Sequence, residues 1–271
     1  MSSMKLDKIS IEYRKEILNI INYSRRGHIP PSLSIVEIIR VLYEDILNIS
    51  SKNPFWEDRD RFILSKGHGC LTLYVALAKK GFFPKEELYR FCKSDTILGG
   101  HPEYIKIPGV EASTGSLGHG LSIGIGFALN ARLEKKNYRT FVLLGDGECQ
   151  EGSVWEAALC ASKHKLNRLI AIIDYNKMQC YGKISEVLEL EPFSEKWRDF
   201  GFVVKEVDGH DIKALRKVFQ NVPFDDKKPS VIICHTVKGK GIPFLENNAS
   251  WHHKSGISDE EMKKMFEGLE K

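Results

Sequence analysis

The chain has 271 residues, 42% hydrophobic and 28% charged, with 40 Lys and Arg against 36 Asp and Glu. That balance excludes long disorder, collagen-like repeats and coiled coil, and a scattered formal charge of +4 leaves no nucleic-acid footprint. No apolar run approaches the roughly 18–20 residues that span a bilayer, and the first ten residues lack a basic-then-apolar leader, so a cytoplasmic protein that makes no membrane contact is expected.

The first third patterns as helices. Tyr13, Ile17, Ile20 and Ile21 recur at helical spacing, as do Ile35, Ile38, Ile39, Leu42 and Ile46. Ser34 with Glu37 three residues on makes a capping-box pattern for the second helix, and Pro84 followed by Lys85, Glu86 and Glu87 marks another helix start. Strand-like runs follow at 61–64, 140–144, 169–174, 202–207 and 230–235, with helical patterns at about 120–135, 153–165 and 211–220. Asp211 and the pair Ser258 and Glu261 are expected helix caps. Three of the strands are nearly continuous apolar runs, as strands covered on both faces are. The expected class is therefore α/β, a central, mostly parallel sheet with helices on both faces, forming a single domain over residues 1–271. Ligands of such sheets gather at the carboxyl ends of the strands.

The chemistry-bearing residues follow those strands. Phe141 to Leu144 run into Gly145-Asp146-Gly147, and 28 residues separate Gly147 from Asn176 at the end of the next strand. Glycines flanking an acid at a strand end admit close approach of an anionic ligand. Asp146, the Asn176 side-chain oxygen and a nearby backbone carbonyl are hard oxygen donors that suit Mg²⁺, and a single carboxylate fits a cation that also carries a diphosphate. Of nine histidines, His28, His68, His101 and His119 sit beside Gly or Pro at element boundaries, a placement that favours a pocket, whereas His164 and His235 read as structural. Gly120, Gly124 and Ala128 put small residues along one helix face, expected to make a tight internal contact, with contact between protein chains as the alternative. No dinucleotide fingerprint or Walker A loop is present, and Lys238 and Lys240 are expected to form a solvated basic turn, with contact to a sugar phosphate as the alternative. The six cysteines include no C-x-x-C pair and are expected to be reduced, mostly buried thiols.

Gly-Asp-Gly, a gap of just under thirty residues and then Asn resembles the thiamin diphosphate signature. Four further segments narrow the resemblance to the transketolase family: Ser65-Lys66-Gly67-His68-Gly69, Gly100-His101-Pro102-Glu103, Thr114-Gly115-Ser116-Leu117-Gly118-His119-Gly120, and Gly145 through Gly152. The resemblance implies a thiamin diphosphate-binding fold in which Asp146, Asn176 and the Met178 carbonyl hold Mg²⁺. It places His68 and Gly147 at the diphosphate, Asn176 also at the cofactor, and Gly115 and Leu117 at the aminopyrimidine. His28 and His101 would face the sugar and His252 would lie near the diphosphate and substrate, although His253 beside His252 leaves that last position open, and Glu151 would relay to a partner. One departure is Ile29-Pro30-Pro31, where the family carries small, glycine-rich positions; two prolines remove two amide donors and bring the local loop path into question.

The family's pyrimidine-binding half is expected on a separate chain. The resemblance thus implies the N-terminal subunit of a split transketolase. Such a chain is active only with a C-terminal partner in a heterotetramer, moving a two-carbon ketol unit from a ketose or ketose phosphate to an aldose. Two alternatives are half of another thiamin diphosphate enzyme, a 2-oxo acid decarboxylase or dehydrogenase component, and a non-catalytic scaffold subunit.

Overall fold

The computed structural model describes residues 6–252, 254 and 256–270. Five parallel strands form one sheet in the order β1-β2-β3-β5-β4: β1 is Arg61–Leu64, β2 Thr140–Gly145, β3 Leu169–Tyr175, β4 Val203–Asp208 and β5 Ser230–His235. The helices are α1 Lys8–Ser24, α2 Ile29–Leu33, α3 Val36–Val41, α4 Cys70–Lys79, α5 Gly120–Leu133, α6 Gly152–Lys163, α7 Ile184–Val187, α8 Phe193–Asp199, α9 Ile212–Gln220 and α10 Asp259–Leu269. Every residue of β1 and β3 is buried, which is why these strands read as unbroken apolar runs rather than alternating ones.

Alternation decides which core each strand residue enters. Phe141, Leu143, Ile170, Ile172 and Ile232 pack into one core with the apolar faces of α1, α3, α4, α9 and α10. Val142, Leu144, Ala171, Ile173 and Ile233 pack on the opposite side with α5, α6 and α8. α4 is buried on every side from Cys70 to Leu77, so no helical periodicity marks it in the sequence. Among the described residues no helix is long and apolar enough to cross a membrane.

Most expected caps form. Asp211 accepts from the Lys213 and Ala214 amides, and Ser258 with Glu261 makes a reciprocal capping box. The Ser34/Glu37 pattern does not. Ser34 closes α2, its hydroxyl donating to Asp174 at 2.8 Å, and Glu37 turns inward to Arg14, so α3 starts at Ile35 without a side-chain cap. The departure at Ile29-Pro30-Pro31 resolves as the short helix α2, whose prolines occupy its first turn, where amide donors have no intrahelical partner. The start at Pro84 is a 3₁₀ turn, Lys85–Arg90, rather than an α-helix.

The stripe Gly120, Gly124, Ala128 faces the sheet. A Cβ on Gly124 would meet Val142 at 2.5 Å, and one on Gly120 would meet the Ser65 hydroxyl at 2.2 Å, so small residues let α5 lie against β1 and β2. Gly126, on the outer face of the same helix, has open space. Gly124→Leu is expected to cost about 1–3 kcal/mol, while Gly126→Ala should gain about 0.5–1 kcal/mol. Urea unfolding of the two variants checks the contrast.

Arg14 on α1 and Glu37 on α3 are both wholly buried and joined by two hydrogen bonds, 2.5 and 3.0 Å. Burial opposes ionisation of Glu37, but the charge of Arg14, with hydrogen bonds from His210 and Arg14, outweighs it and holds the carboxyl at about 2. The depressed value means that this contribution to stability is complete above the unfolded value of 4.5 and is lost as pH falls through the folded value. The stability gap between wild type and Glu37→Gln should therefore shrink by about 3 kcal/mol from pH 5 towards pH 2. A pH-independent gap in urea titrations would show that Glu37 is not ionised in the folded chain.

Candidate functional site: a cavity at the carboxyl ends of the strands

The parallel register pairs Gly145 with Asp174, so the tips of β2 and β3 lie side by side and the residues that follow them, Asp146 and Asn176, leave the sheet together. Asp146 accepts from the Gly147 amide at 2.8 Å and the Lys177 amide at 2.5 Å, which ties the two loops to one carboxylate. Asn176 is oriented by two contacts: its Nδ2 donates to Asp174 at 2.9 Å and its Oδ1 accepts from the Met178 amide at 3.1 Å.

Above these tips is a cavity of about 510 Å³, the size of a small-molecule cofactor site. All eleven residues to which the resemblance gives a role line it: His28, His68, His101, Gly115, Leu117, Asp146, Gly147, Glu151, Asn176, Met178 and His252. His253 lies outside the described residues. His119 does not line the cavity; it is exposed, and its Nδ1 meets the Leu117 carbonyl at 2.9 Å. His164 ends α6, and His235 ends β5, where it faces Glu206 at 2.8 Å.

Four imidazoles form one wall. His28 stands 5.8 Å from His68, 6.4 Å from His101 and 5.8 Å from His252, centroid to centroid, and its Nδ1 meets the His252 carbonyl at 2.9 Å. Burial first, then the nearby Lys66, depresses His68 well below the usual histidine range; burial and His28 lower His101. Both rings are thus neutral at neutral pH and can donate from one nitrogen and accept at the other. Gly115, at φ 144, is held where a side chain is disfavoured, and a Cβ there would come within 3.0 Å of the His101 ring.

The cavity is also lined by two lysines, Lys66 and Lys238, each 2% exposed. Lys66 pairs with Asp174, whereas Lys238 donates only to the Met178 and Gln179 carbonyls, 3.2 and 3.1 Å away, with no carboxylate in ion-pair range among the described residues. Burial, then repulsion from Lys66, pushes Lys238 down to about 8. A buried ammonium without a counter-charge is costly, and a phosphate beside it removes that cost. Lys238 is therefore not the solvated turn residue expected from its Gly-Lys-Gly neighbourhood.

Asp146 has the complementary problem. Burial, then the charge of Asp174, raises its carboxyl to about 7, so a cation is what would keep it ionised. Among the described residues no group of three or more His, Cys, Asp or Glu could hold a metal. One carboxylate, one amide oxygen and a backbone carbonyl leave a hexacoordinate ion to complete its shell from phosphate oxygens and water. The donor set fits Mg²⁺ bound together with a diphosphate.

Residues that pattern alone does not reveal hold this site together. Asp174 also accepts from Ser34 at 2.8 Å and from Thr236. Glu148 accepts from the Gly118 amide at 2.9 Å, the Gly145 amide at 3.0 Å and the Ser65 hydroxyl, and so links the loops bearing Leu117, Asp146 and His68. The only sequence signal for Lys66 and Glu148 is their place inside the quoted motifs. All six cysteines are free; Cys70, Cys149 and Cys234 are buried, and Cys180 lines the cavity.

Fold and cavity together define an α/β protein with a pocket, lined by buried lysines and a buried acid, at the carboxyl ends of a parallel sheet. The family described as transketolase, thiamine diphosphate binding domain, matches residues 8–269, and the chain belongs to that family. It is 42% identical over 248 residues to an apulose-4-phosphate transketolase subunit of Phocaeicola vulgatus, covering 92% of this chain and 88% of that one. It is 40% identical over 258 residues to the 6-deoxy-6-sulfo-D-fructose transketolase subunit SqwG of a Clostridium species, covering 95% and 94%. Among solved structures, the transketolase of Campylobacter jejuni superposes with a TM-score of 0.88 at 30% identity, over 97% of this chain but 43% of that one. The transketolase of Leishmania mexicana gives 0.87 at 29% identity, over 95% and 40%. The chain thus spans about two-fifths of the length of these solved transketolases.

Proposed function

We propose that this chain is the diphosphate-binding half of a two-chain, Mg²⁺-dependent transketolase, a single cytoplasmic domain that works in a heterotetramer with a partner carrying the pyrimidine-binding half. The observation that carries the reading is the cavity that Asp146 and Asn176 line together with four histidines and a buried Lys238 that makes no ion pair among the described residues. One feature supports a separate partner: a relative that this chain nearly covers end to end is named as a subunit.

Bound thiamin diphosphate would supply the carbon nucleophile that opens a C–C bond next to a carbonyl. Asp146, Asn176 and the Met178 carbonyl would hold the metal, and Lys66, Lys238 and the Gly147 backbone would face the phosphates. Gly115 and Leu117 form the aminopyrimidine edge. His28, His68, His101 and His252 bind sugar hydroxyls; His68 and His101, kept neutral, take or give a proton at a ring nitrogen. Glu151 is exposed at the rim, where it can reach a partner chain. The substrate class is a ketose or ketose phosphate donor with an aldose acceptor. The names of two relatives point towards a dedicated sugar, in one case a phosphate ester and in the other a sulfonate.

Two experiments test this. Mixed with a partner chain of the pyrimidine type, the protein should transfer a ketol unit between sugars, while each chain alone is inert; transfer by the single chain would overturn the split-site reading. Asp146→Ala should keep its melting behaviour and lose Mg²⁺-dependent thiamin diphosphate binding by roughly 100-fold or more in calorimetry. Unchanged affinity would remove Asp146 from the metal site.

A further inference from the structure

The proposed function leaves unexplained why a buried triad that does not line the cavity is built as it is. Arg14, Glu37 and His210 come from α1, α3 and the turn after β4. Arg14 and Glu37 are 0% exposed, and the His210 side chain is 6% exposed. Glu37 is the hub: it binds both terminal nitrogens of Arg14 and accepts from His210 Nδ1 at 2.8 Å. Each arm then uses its remaining group on one short loop. His210 Nε2 accepts the Val237 amide at 2.9 Å, and Arg14 Nε donates to the Lys240 carbonyl at 2.8 Å.

Those two contacts bracket Lys238. The loop between them is pinned further where the Gly239 amide donates to the Pro30 carbonyl at 3.1 Å, and where the Lys238 carbonyl accepts from Asn247 at 2.9 Å. Gly241, at φ 96, lets Arg14 come so close that a Cβ there would meet its Nε at 3.0 Å. The roles of the imidazole are fixed by geometry: because Nε2 accepts from an amide, Nδ1 carries the proton that Glu37 receives. A long lysine loses much side-chain entropy on burial, and its ammonium here has only two neutral carbonyls to hold it.

We propose that Arg14, Glu37 and His210 form a clamp of positioning residues that holds the 237–240 loop so that Lys238 projects into the cavity, ready for the diphosphate end of the cofactor. The inference rests on the reading of the cavity given above. The clamp touches neither cofactor nor substrate; it acts through the backbone on either side of one lysine.

The test uses the full chain with three variants, His210→Leu, His210→Gln and Lys238→Met, and the double variant His210→Leu/Lys238→Met. Amide exchange over 236–241 is measured without ligand, and Mg²⁺-dependent thiamin diphosphate binding by calorimetry on the chain mixed with a partner of the pyrimidine type. His210→Leu should speed exchange in that loop and weaken binding, each by about tenfold, the equivalent of one lost hydrogen bond. His210→Gln, whose amide can accept from Val237 and donate to Glu37, should restore both. The double variant should bind no more weakly than Lys238→Met alone, because the clamp has nothing left to position. Wild-type exchange and affinity in His210→Leu, or losses that add in full in the double variant, would overturn the proposal. Wild-type protein that binds no thiamin diphosphate would instead contradict the cavity reading, and the exchange data would still decide whether His210 holds the loop. Should His210→Leu fail to fold, Arg14→Lys, which keeps a charge beside Glu37 but loses the bond to the Lys240 carbonyl, takes its place: faster exchange and weaker binding support the clamp, and wild-type exchange and affinity overturn it.

Discussion

Asp174, at the carboxyl end of β3, is the point on which the site depends. Its carboxylate is wholly buried and receives Lys66, Ser34, Thr236 and the amide of Asn176. Burial opposes its charge, but Lys66 holds it below the usual carboxylate range, so it stays an acceptor throughout the neutral region. One side chain thereby joins the end of α2, the loop after β1, the loop after β5 and the tip of β3. Breaking a buried pair by removing one partner typically costs about 3–5 kcal/mol, which makes this junction a constraint rather than an ornament.

From that junction the cavity acquires its polarity. The Asp174 charge is already spent on Lys66 and hydrogen bonds, whereas Asp146 and Lys238 remain a poorly ionised acid and a poorly solvated base on the same floor. Each is costly alone, and a metal diphosphate satisfies both at once. The histidine wall completes the division: burial keeps His68 and His101 neutral, suited to hydroxyls and protons rather than to a second metal.

How much of this was legible in the sequence follows from how local each feature is. The apolar strands, the Asp211 and Ser258 caps and the Gly-Asp-Gly to Asn spacing are local patterns, and the parallel α/β sheet confirms the class they imply. The spacing was informative because β2 and β3 are neighbours in register, so a sequence gap became a juxtaposition. The strand order was not legible, since the insertion of β5 between β3 and β4 is a long-range choice. Nor were the partners of Ser34 and Glu37, which fit a local capping pattern yet are claimed by Asp174 and Arg14 across the core. Lys238 sits in a polar, glycine-rich stretch that reads as surface, and only the packing of α1, α3 and the 237–240 loop buries it.

The central claim is that Asp146 and Asn176 grip one cation that also holds a diphosphate. The most direct measurement is a crystal structure with Mn²⁺ and thiamin diphosphate, read by the anomalous signal of the metal. The account predicts a single peak within about 2.0–2.3 Å of an Asp146 carboxylate oxygen and Asn176 Oδ1, with phosphate oxygens completing its shell beside Lys238. A metal peak elsewhere in the cavity, with both side chains turned away from it, would contradict the account.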